Sequence, residues 1–232
     1  MIVSISMVTV MGTGALTDYQ DGEQINNAEV AFEILANNID DHAYDRVEGR
    51  ATEIRVTDAS LSFGTREEFN ISVQSSNDEI VVVNDPIIYE TEQGSQVVHS
   101  NGALFRETER ESRMIREPHF RIDENRTMLP QTEMRGSDTR LSIGGSETVH
   151  LRTEQRTPRL YQHSSGDLDV EIEIVTKPAR ADEWERYLDS FDEIDADQDC
   201  TSELNEDSTT LTCDLETDEI YVPVTRLSGE FS

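Results

Sequence analysis

The chain has little positive charge, little cysteine and no apolar run of membrane-spanning length, and these shortages exclude several classes of protein. Among its 232 residues, 19 are basic and 49 are acidic, and Lys177 is the only lysine. Because no basic face can neutralise phosphates, nucleic acid is not expected as a partner. The two cysteines, Cys200 and Cys213, cannot complete a zinc site alone, and none of the five histidines lies near them in sequence.

The common catalytic motifs are also missing. The sequence contains no G-x-S-x-G, no H-E-x-x-H, no P-loop and no G-x-G-x-x-G. Its histidines stand singly along the chain, at His42, His99, His119, His150 and His163. We therefore expect a protein that is not an enzyme and needs no cofactor.

The chain has a large excess of acidic residues, which gives it a formal net charge of -30. Self-repulsion of this size strains a compact fold in dilute salt, whereas at 1 M salt the Debye length falls to about 3 Å and the repulsion is largely screened. Carboxylates also keep a surface soluble. The charge therefore indicates a protein of a highly saline environment, most simply that of a halophilic archaeon.

The two cysteines allow two interpretations. Residues 209–215 are typical of a strand, so a disulfide between Cys200 and Cys213 would close a hairpin or loop. A loop of this length stabilises a fold by roughly 3 kcal/mol in the chain-entropy description. A disulfide would indicate an exported protein, and the alternative is a pair of free, partly buried thiols.

Residues 1–16, MIVSISMVTVMGTGAL, carry no charge. They are fewer than the roughly 20 apolar residues of a membrane span, and they lack the basic start of a secretory signal. They could be a buried segment, the apolar part of a signal, or the end of a transmembrane anchor. We favour the anchor, because the run passes directly into a helical pattern, as it would if the start codon were assigned too far downstream.

An amphipathic helix is predicted next, ending near residue 45. An apolar stripe at helical spacing runs through Ile25, Ala28, Phe32, Leu35 and Ile39. The stripe can pack against the domain that follows, against the same helix of other subunits, or against both. We therefore divide the chain into a helical part, residues 1–45, and an acidic extracellular head, residues 46–232.

The head is predicted to consist mainly of short antiparallel strands. Alternation of apolar and polar residues marks segments 54–63, 69–73, 80–89, 97–106, 113–116, 120–122, 148–152, 159–162, 167–175, 209–215 and 218–226. One further helix is expected over residues 178–194, with Pro178 near its start and Trp184, Tyr187, Leu188 and Phe191 facing the sheet. The expected class is α+β, mainly β, with a sandwich-like head.

An acidic loop contains the one pattern of metal-ligand type. Asp195, Asp197 and Asp199 occupy positions one, three and five of an EF-hand-like loop, and Glu206 occupies position twelve. Cys200, however, stands where the turn needs glycine, and a strand rather than a helix follows. A weak cation site and a solvated acidic loop both remain open, and the second is favoured.

Arginines gather in one stretch of this acidic chain, at Arg106, Arg110, Arg113, Arg116, Arg121 and Arg126. We expect them to pair with the nearby acids Glu107, Glu109, Glu111, Glu117 and Glu124 across strands. A binding surface for a partner is the alternative.

Several segments resemble known proteins of haloarchaea. The run GTGALTDYQDGEQINNAEVAFEILANNID resembles the membrane-proximal helix of pilin-like surface proteins. Three further motifs, of the form NGA-FRE, M-REP-F and W--YL, resemble an uncharacterised family of anchored, secreted proteins. Their residues here are Asn101, Gly102, Ala103, Phe105, Arg106, Glu107, Met114, Arg116, Glu117, Pro118, Phe120, Trp184, Tyr187 and Leu188.

This resemblance implies a protein of the cell surface, held in the membrane by its N-terminal helix, with an extracellular head and other pilin-like subunits as partners. The basic processing site and the first part of the hydrophobic helix found in pilins are not in this sequence. The alternative function is an extracellular binding module, for a glycan or a cation, that takes no part in a filament.

Overall fold

In the part of the chain that the structure describes, the fold consists of two helices and one large sheet. The computed structural model describes residues 2–45, 47–74, 78–109, 111–137, 142–156, 159–194 and 199–232. Helix α1 extends over Ile2–Tyr44 and helix α2 over Pro178–Leu188. α2 begins at a proline, whose fixed backbone angle suits a first turn, and it ends before the predicted residue 194. At its end, the Ser190 hydroxyl donates to the carbonyl of Tyr187 at 2.6 Å.

The described residues contribute thirteen strands to the sheet. They are β1 Gly49–Phe63, β2 Glu67–Val73, β3 Asp78–Asn84, β4 Ile87–Thr91, β5 Gln96–Ser100, β6 Ala103–Glu107, β7 Ser112–Arg116, β8 Thr127–Met128, β9 Gln131–Gly136, β10 Ser142–Gln155, β11 Arg159–Thr176, β12 Cys200–Leu204 and β13 Thr209–Phe231. The main path runs β3-β2-β11-β13-β10-β1-β4-β5-β6-β7.

The strand pairs confirm the expected α+β class with mainly antiparallel β structure. Every pair along the main path is antiparallel, and only β8 and β9 run parallel to β13. All described strands are linked into one hydrogen-bonded sheet. The sandwich-like arrangement therefore stays a prediction.

Several strands differ from their predicted bounds. The predicted segments 209–215 and 218–226 are one strand, β13, and 159–162 with 167–175 are one strand, β11. β11 continues through a bulge between Ser164 and Leu168, where its register against β13 shifts and Gly166 has φ 58°. A bulge adds residues without ending a strand, so turn-like residues at that point do not separate two strands.

Two segments predicted as single strands are each divided into two. Segment 97–106 forms a hairpin of β5 and β6, because Asn101 and Gly102 both take positive φ, at 47° and 84°. Asn-Gly at such a position is the residue pair of a type I′ turn. Segment 80–89 divides into β3 and β4 at Pro86, which has no N–H for a ladder bond. Segment 120–122 contributes only an isolated bridge between Arg121 and Met128.

The apolar residues form two cores that share the β5–β6 hairpin. Val97 and Leu104 belong to the core beneath α1, whereas Val98 and Phe105 face the second core. Alternation along a strand produces this division, since neighbouring side chains point to opposite faces. In the second core, Trp184 of α2 is fully buried, so the predicted packing of α2 on the sheet is confirmed.

A buried ion cluster fixes the start of α2. Arg180 is 3% exposed and donates to both oxygens of Glu107, at 2.7 and 3.0 Å, and to Glu67. Ser100 and Thr176 donate their hydroxyls to the same Glu67. Burial alone would raise the pKa of Glu107, but the adjacent Arg180 guanidinium lowers that pKa below its usual range. Each buried charge therefore has a partner, which is the condition for burying it.

Helix α2 also protects an edge of the sheet. β7 is the last strand on the main path, and the Met114 N–H donates to the Glu183 carboxylate at 2.8 Å. Open strand edges promote unwanted pairing with other chains. The carboxylate of α2 occupies a hydrogen-bonding position that another strand would otherwise use.

Candidate functional site: the seam between helix α1 and the sheet

The predicted apolar stripe of α1 is buried. Ile25, Phe32 and Leu35 have no exposed surface, and Ala28 and Ile39 are exposed by 3% and 1%. They share a core with residues of seven strands, among them Ile54, Val56 and Leu61 of β1, Ile87 and Tyr89 of β4, Val97 of β5 and Leu104 of β6. This confirms that the stripe packs against the domain that follows it. We call this contact and its polar rim the seam.

Arg116 of β7 makes the main polar contacts between the sheet and α1 along one side of the seam. Its guanidinium donates to Glu33 at 2.8 Å, to the Asn37 side chain at 2.9 Å and to Asp40 at 2.6 Å. These acceptors lie on successive turns of α1, so a single planar cation contacts almost two turns of the helix. The His119 ring adds a contact to Asp40 at 3.0 Å.

The partners of the arginine stretch differ from those predicted. Arg106 pairs with Glu29 of α1 at 3.0 Å, and Arg126 pairs with Glu219 of β13 at 2.7 Å. With Arg116, they contact acids far away in sequence instead of the neighbouring glutamates. Arg110 lies outside the described residues. The sheet brings these strands beneath α1, which local sequence does not show.

Hydrogen bonds secure the other side of the seam and the end of α1. Asp21 accepts hydroxyl bonds from Thr91 at 2.5 Å and Ser95 at 2.7 Å. His42 contacts the Val47 carbonyl at 2.5 Å and the Thr153 hydroxyl at 2.9 Å. A carbonyl can only accept, so Nδ1 of His42 carries the proton and Nε2 accepts from Thr153. Burial lowers the pKa of His42, which favours this neutral ring.

His99 of β5 is a buried base at the seam. It follows Val97 by two residues, on the helix-facing side of the strand, and it is 1% exposed. Neither ring nitrogen has a hydrogen-bond partner among the described residues. Burial, with a smaller contribution from the Arg116 charge, lowers the pKa of His99 to about 4. Sequence reasoning treated His99 as one of five scattered histidines, and only its place in the core distinguishes it.

The face of α1 opposite the buried stripe carries two exposed apolar residues. Val30 is 64% exposed and Ile34 is 52% exposed. They lie one turn apart, so their side chains are neighbours on the outer surface of the helix. An isolated exposed apolar residue is ordinary, but an adjacent pair on a very acidic protein is a candidate contact surface.

Only two of the four residues of the predicted cation loop are among those that the structure describes. Asp195 and Asp197 lie outside those residues, and Asp199 and Glu206 stand at opposite ends of β12. An extended strand of this length separates its ends by about 17 Å. Among the described residues, no group of three or more His, Cys, Asp or Glu side chains is placed to hold a metal ion.

Asp199 instead lines an open acidic hollow of about 620 Å³. Its carboxylates come from Glu124, Asp169, Asp192, Glu193, Asp199, Asp214 and Glu216. Across the β11–β13 pair, Asp169 stands opposite Glu216 and Glu171 opposite Asp214. Like charges placed directly opposite each other destabilise a sheet.

Cys200 and Cys213 form a disulfide in the structure, with Cα atoms 4.1 Å apart. The bond joins β12 to β13 at directly paired positions. Cys213 is fully buried in the core that contains Trp184.

Comparison with known proteins gives a family without a known activity. A family model described as a family of unknown function (DUF7289) matches residues 1–230. No curated protein and no solved structure matches the chain. Among the helices that the structure describes, none combines the length and the apolar character needed to cross a membrane.

Replacing Arg116 with alanine should loosen α1. The change removes one cation from three acceptors, and we expect a loss of about 1–2 kcal/mol in the free energy of unfolding, since the partly exposed ion pairs are screened by water and salt. Urea unfolding measures the loss, and hydrogen exchange should rise first in the second half of α1. Arg113→Ala, an exposed arginine on the same strand, is the matched control. Equal effects of the two substitutions would contradict the role of Arg116.

His99 should make stability dependent on pH. Its pKa lies lower in the folded protein, about 4, than its ordinary 6.5, so its stabilising contribution is complete above pH 6.5 and is lost as pH falls toward 4. Between about pH 7.5 and 4.5 the wild type should lose roughly 2–3 kcal/mol more than His99→Leu. Arg116 and its partners Glu33 and Asp40 are present in both proteins, so the difference between the two curves reports on His99. Parallel pH curves would refute the assignment.

Proposed function

We propose that this chain, which belongs to the family of unknown function DUF7289, is a pilin-like protein of the cell surface. Its role is structural: the N-terminal helix attaches the protein to the membrane, and the β-rich head faces the medium. The resemblance of the helical segment to the membrane-proximal helices of pilin-like proteins supports this assignment. The proposal includes other pilin-like subunits as partners.

One observation carries the proposal. α1 is a single helix from Ile2 to Tyr44 that combines an uncharged beginning, with no charge before Asp18, and a second half docked in the head. A helix of 43 residues is about 65 Å long. A rigid element of this kind transmits the position of a membrane segment to the head, because the seam prevents the head from moving freely about the helix.

The outer face of α1 offers a subunit contact. Val30 and Ile34 point away from the head to which α1 is docked, so the same helix can pack inward on its own head and outward on a neighbour. The predicted apolar stripe is covered by the head, so a contact with another subunit would use Val30 and Ile34, which lie outside that stripe. The neighbour that fits this face best is a second copy of the chain, since its α1 presents the same apolar pair.

Export and a saline medium belong to the same proposal. The disulfide Cys200–Cys213 supports export, because disulfides persist mainly outside the reducing cytosol. The net charge of -30 supports a saline medium in which surface repulsion is screened.

Filament fractions test the structural role. Cells carrying the gene would be sheared, and antibodies against residues 46–232 would locate the protein in filaments, membranes and medium. We expect the wild type in the sheared filaments, and Val30→Glu/Ile34→Glu retained in membranes, because charged side chains on the outer face of α1 oppose its packing. Val81→Glu/Leu204→Glu is the matched control, since both residues are exposed on the sheet. A wild type absent from filaments would refute the pilin-like role.

The proposal that the protein works in a saline medium can be tested on the pairs of like charges between β11 and β13. Asp169→Asn/Glu171→Gln removes repulsion across two pairs and should raise the free energy of unfolding by about 1 kcal/mol at low salt. In about 3 M KCl the gain should vanish, because the Debye length is then about 3 Å or less. Thermal unfolding of both proteins at the two salt levels measures the difference. A gain that persists in concentrated salt would contradict screening as its cause.

The second candidate function is an extracellular binding module without a part in filaments. The observation that favours it is an aromatic groove beside the end of α1, which would serve a lone module equally well. A protein found with membranes or medium and never in filaments would select this alternative.

A further inference from the structure

A groove opens where the end of α1 meets the end of α2 and the connection after β7. Its larger compartment has a volume of about 540 Å³ and is lined by Tyr44, Glu117, Arg121, Met128 and Phe191, among others. A smaller compartment of about 60 Å³ adjoins it and is lined by Asn101, Gln131 and Thr132. Asp40, Tyr44, Pro118 and His119 line both compartments.

Two aromatic rings form the ridge between the compartments. The Tyr44 and His119 rings meet edge to face, with centroids 5.8 Å apart. Tyr44 is 55% exposed, and the His119 side chain is 51% exposed. Asp40 holds the His119 ring at 3.0 Å and is itself held by Arg116, so the ridge is fixed before any ligand arrives.

The smaller compartment presents amide groups that are already ordered. The Asn101 side chain donates to Gln131 at 2.8 Å and accepts from the Thr132 N–H at 2.7 Å. Both amide side chains are almost fully buried. These internal hydrogen bonds hold the amides in place, so the smaller compartment is a polar wall that needs no further ordering when a ligand approaches.

The lining selects among ligand classes. A quaternary ammonium ion needs several open ring faces, but Tyr187 and Phe120 are 7% exposed and pack against Trp184. A polyanion would come into direct contact with the Asp40 and Glu117 carboxylates of the lining, where salt screens least. An uncharged sugar fits both features of the groove, because its apolar ring face can stack on Tyr44 while its hydroxyls reach carboxylate, guanidinium and amide groups.

We propose that this groove binds a short neutral oligosaccharide across the Tyr44–His119 ridge, with one sugar in the larger compartment and the next lying over the mouth of the smaller one. The proposal does not depend on filament formation. Binding would also bridge α1 and the sheet, since Tyr44 lies on the helix and His119 follows β7.

The test is an NMR titration of the folded protein in concentrated KCl, following the ring signals of His119. The probes are maltotriose, cellotriose, mannotriose and chitotriose, with choline chloride as the competing class. We expect at least one trisaccharide to bind with a dissociation constant of about 1 mM or below, and choline not to shift the His119 signals. Failure of all four sugars, or a stronger response to choline, overturns the proposal.

Single substitutions locate the site. Tyr44→Ala should weaken sugar binding by about tenfold or more, which is the value of one stacking contact. Tyr19→Ala, which removes an exposed tyrosine of the same helix, should leave the affinity unchanged. Thermal unfolding confirms that both variants are folded. Unchanged binding in Tyr44→Ala, or equal losses in the two variants, overturns the location at the ridge.

Discussion

The fold depends on helix α1 covering one apolar face of the sheet. Ile54, Leu61, Ile87 and Leu104 have no exposed surface, and α1 is the element that lies over them. Each such side chain contributes roughly 1.5–3 kcal/mol by leaving water, so the loss of the helix would cost a free energy comparable to the whole stability of a typical domain. Because the β5–β6 hairpin borders both cores, the helix also supports the core around Trp184.

Several of the few arginines lie where the fold brings acidic side chains close together. Arg116 and Arg106 hold the acidic flank of α1 against the sheet, and Arg180 neutralises Glu67 and Glu107 inside the protein. The guanidinium group suits these positions, since it remains charged when buried and donates to several acceptors in one plane. The acids on β11 and β13, by contrast, face one another across the strands, where dissolved salt would screen their repulsion.

The periodic spacing of apolar residues predicted most of the helices and strands, because an element that is buried on one face has apolar residues at regular intervals within its own segment. The stripe of α1 and the alternation in β11 are examples. Strand ends were less predictable, since a bulge and a turn use similar residues: Gly166 continues β11, whereas Gly102 ends a hairpin arm. The Asn101-Gly102 pair was a readable turn signal, but the apolar residues on both sides resembled one continuous strand.

The amino-acid sequence by itself determined the acidic surface, the mainly β class, the amphipathic helix and the buried position of Trp184. These follow from composition and from spacing within single segments. Only the tertiary structure decided that Arg116 contacts α1, that His99 is buried without a hydrogen-bond partner among the described residues, and that Tyr44 and His119 form one ridge. Each of these three features depends on residues that are many positions apart in the chain. Such residues come together through the order of the strands, which no local sequence pattern encodes.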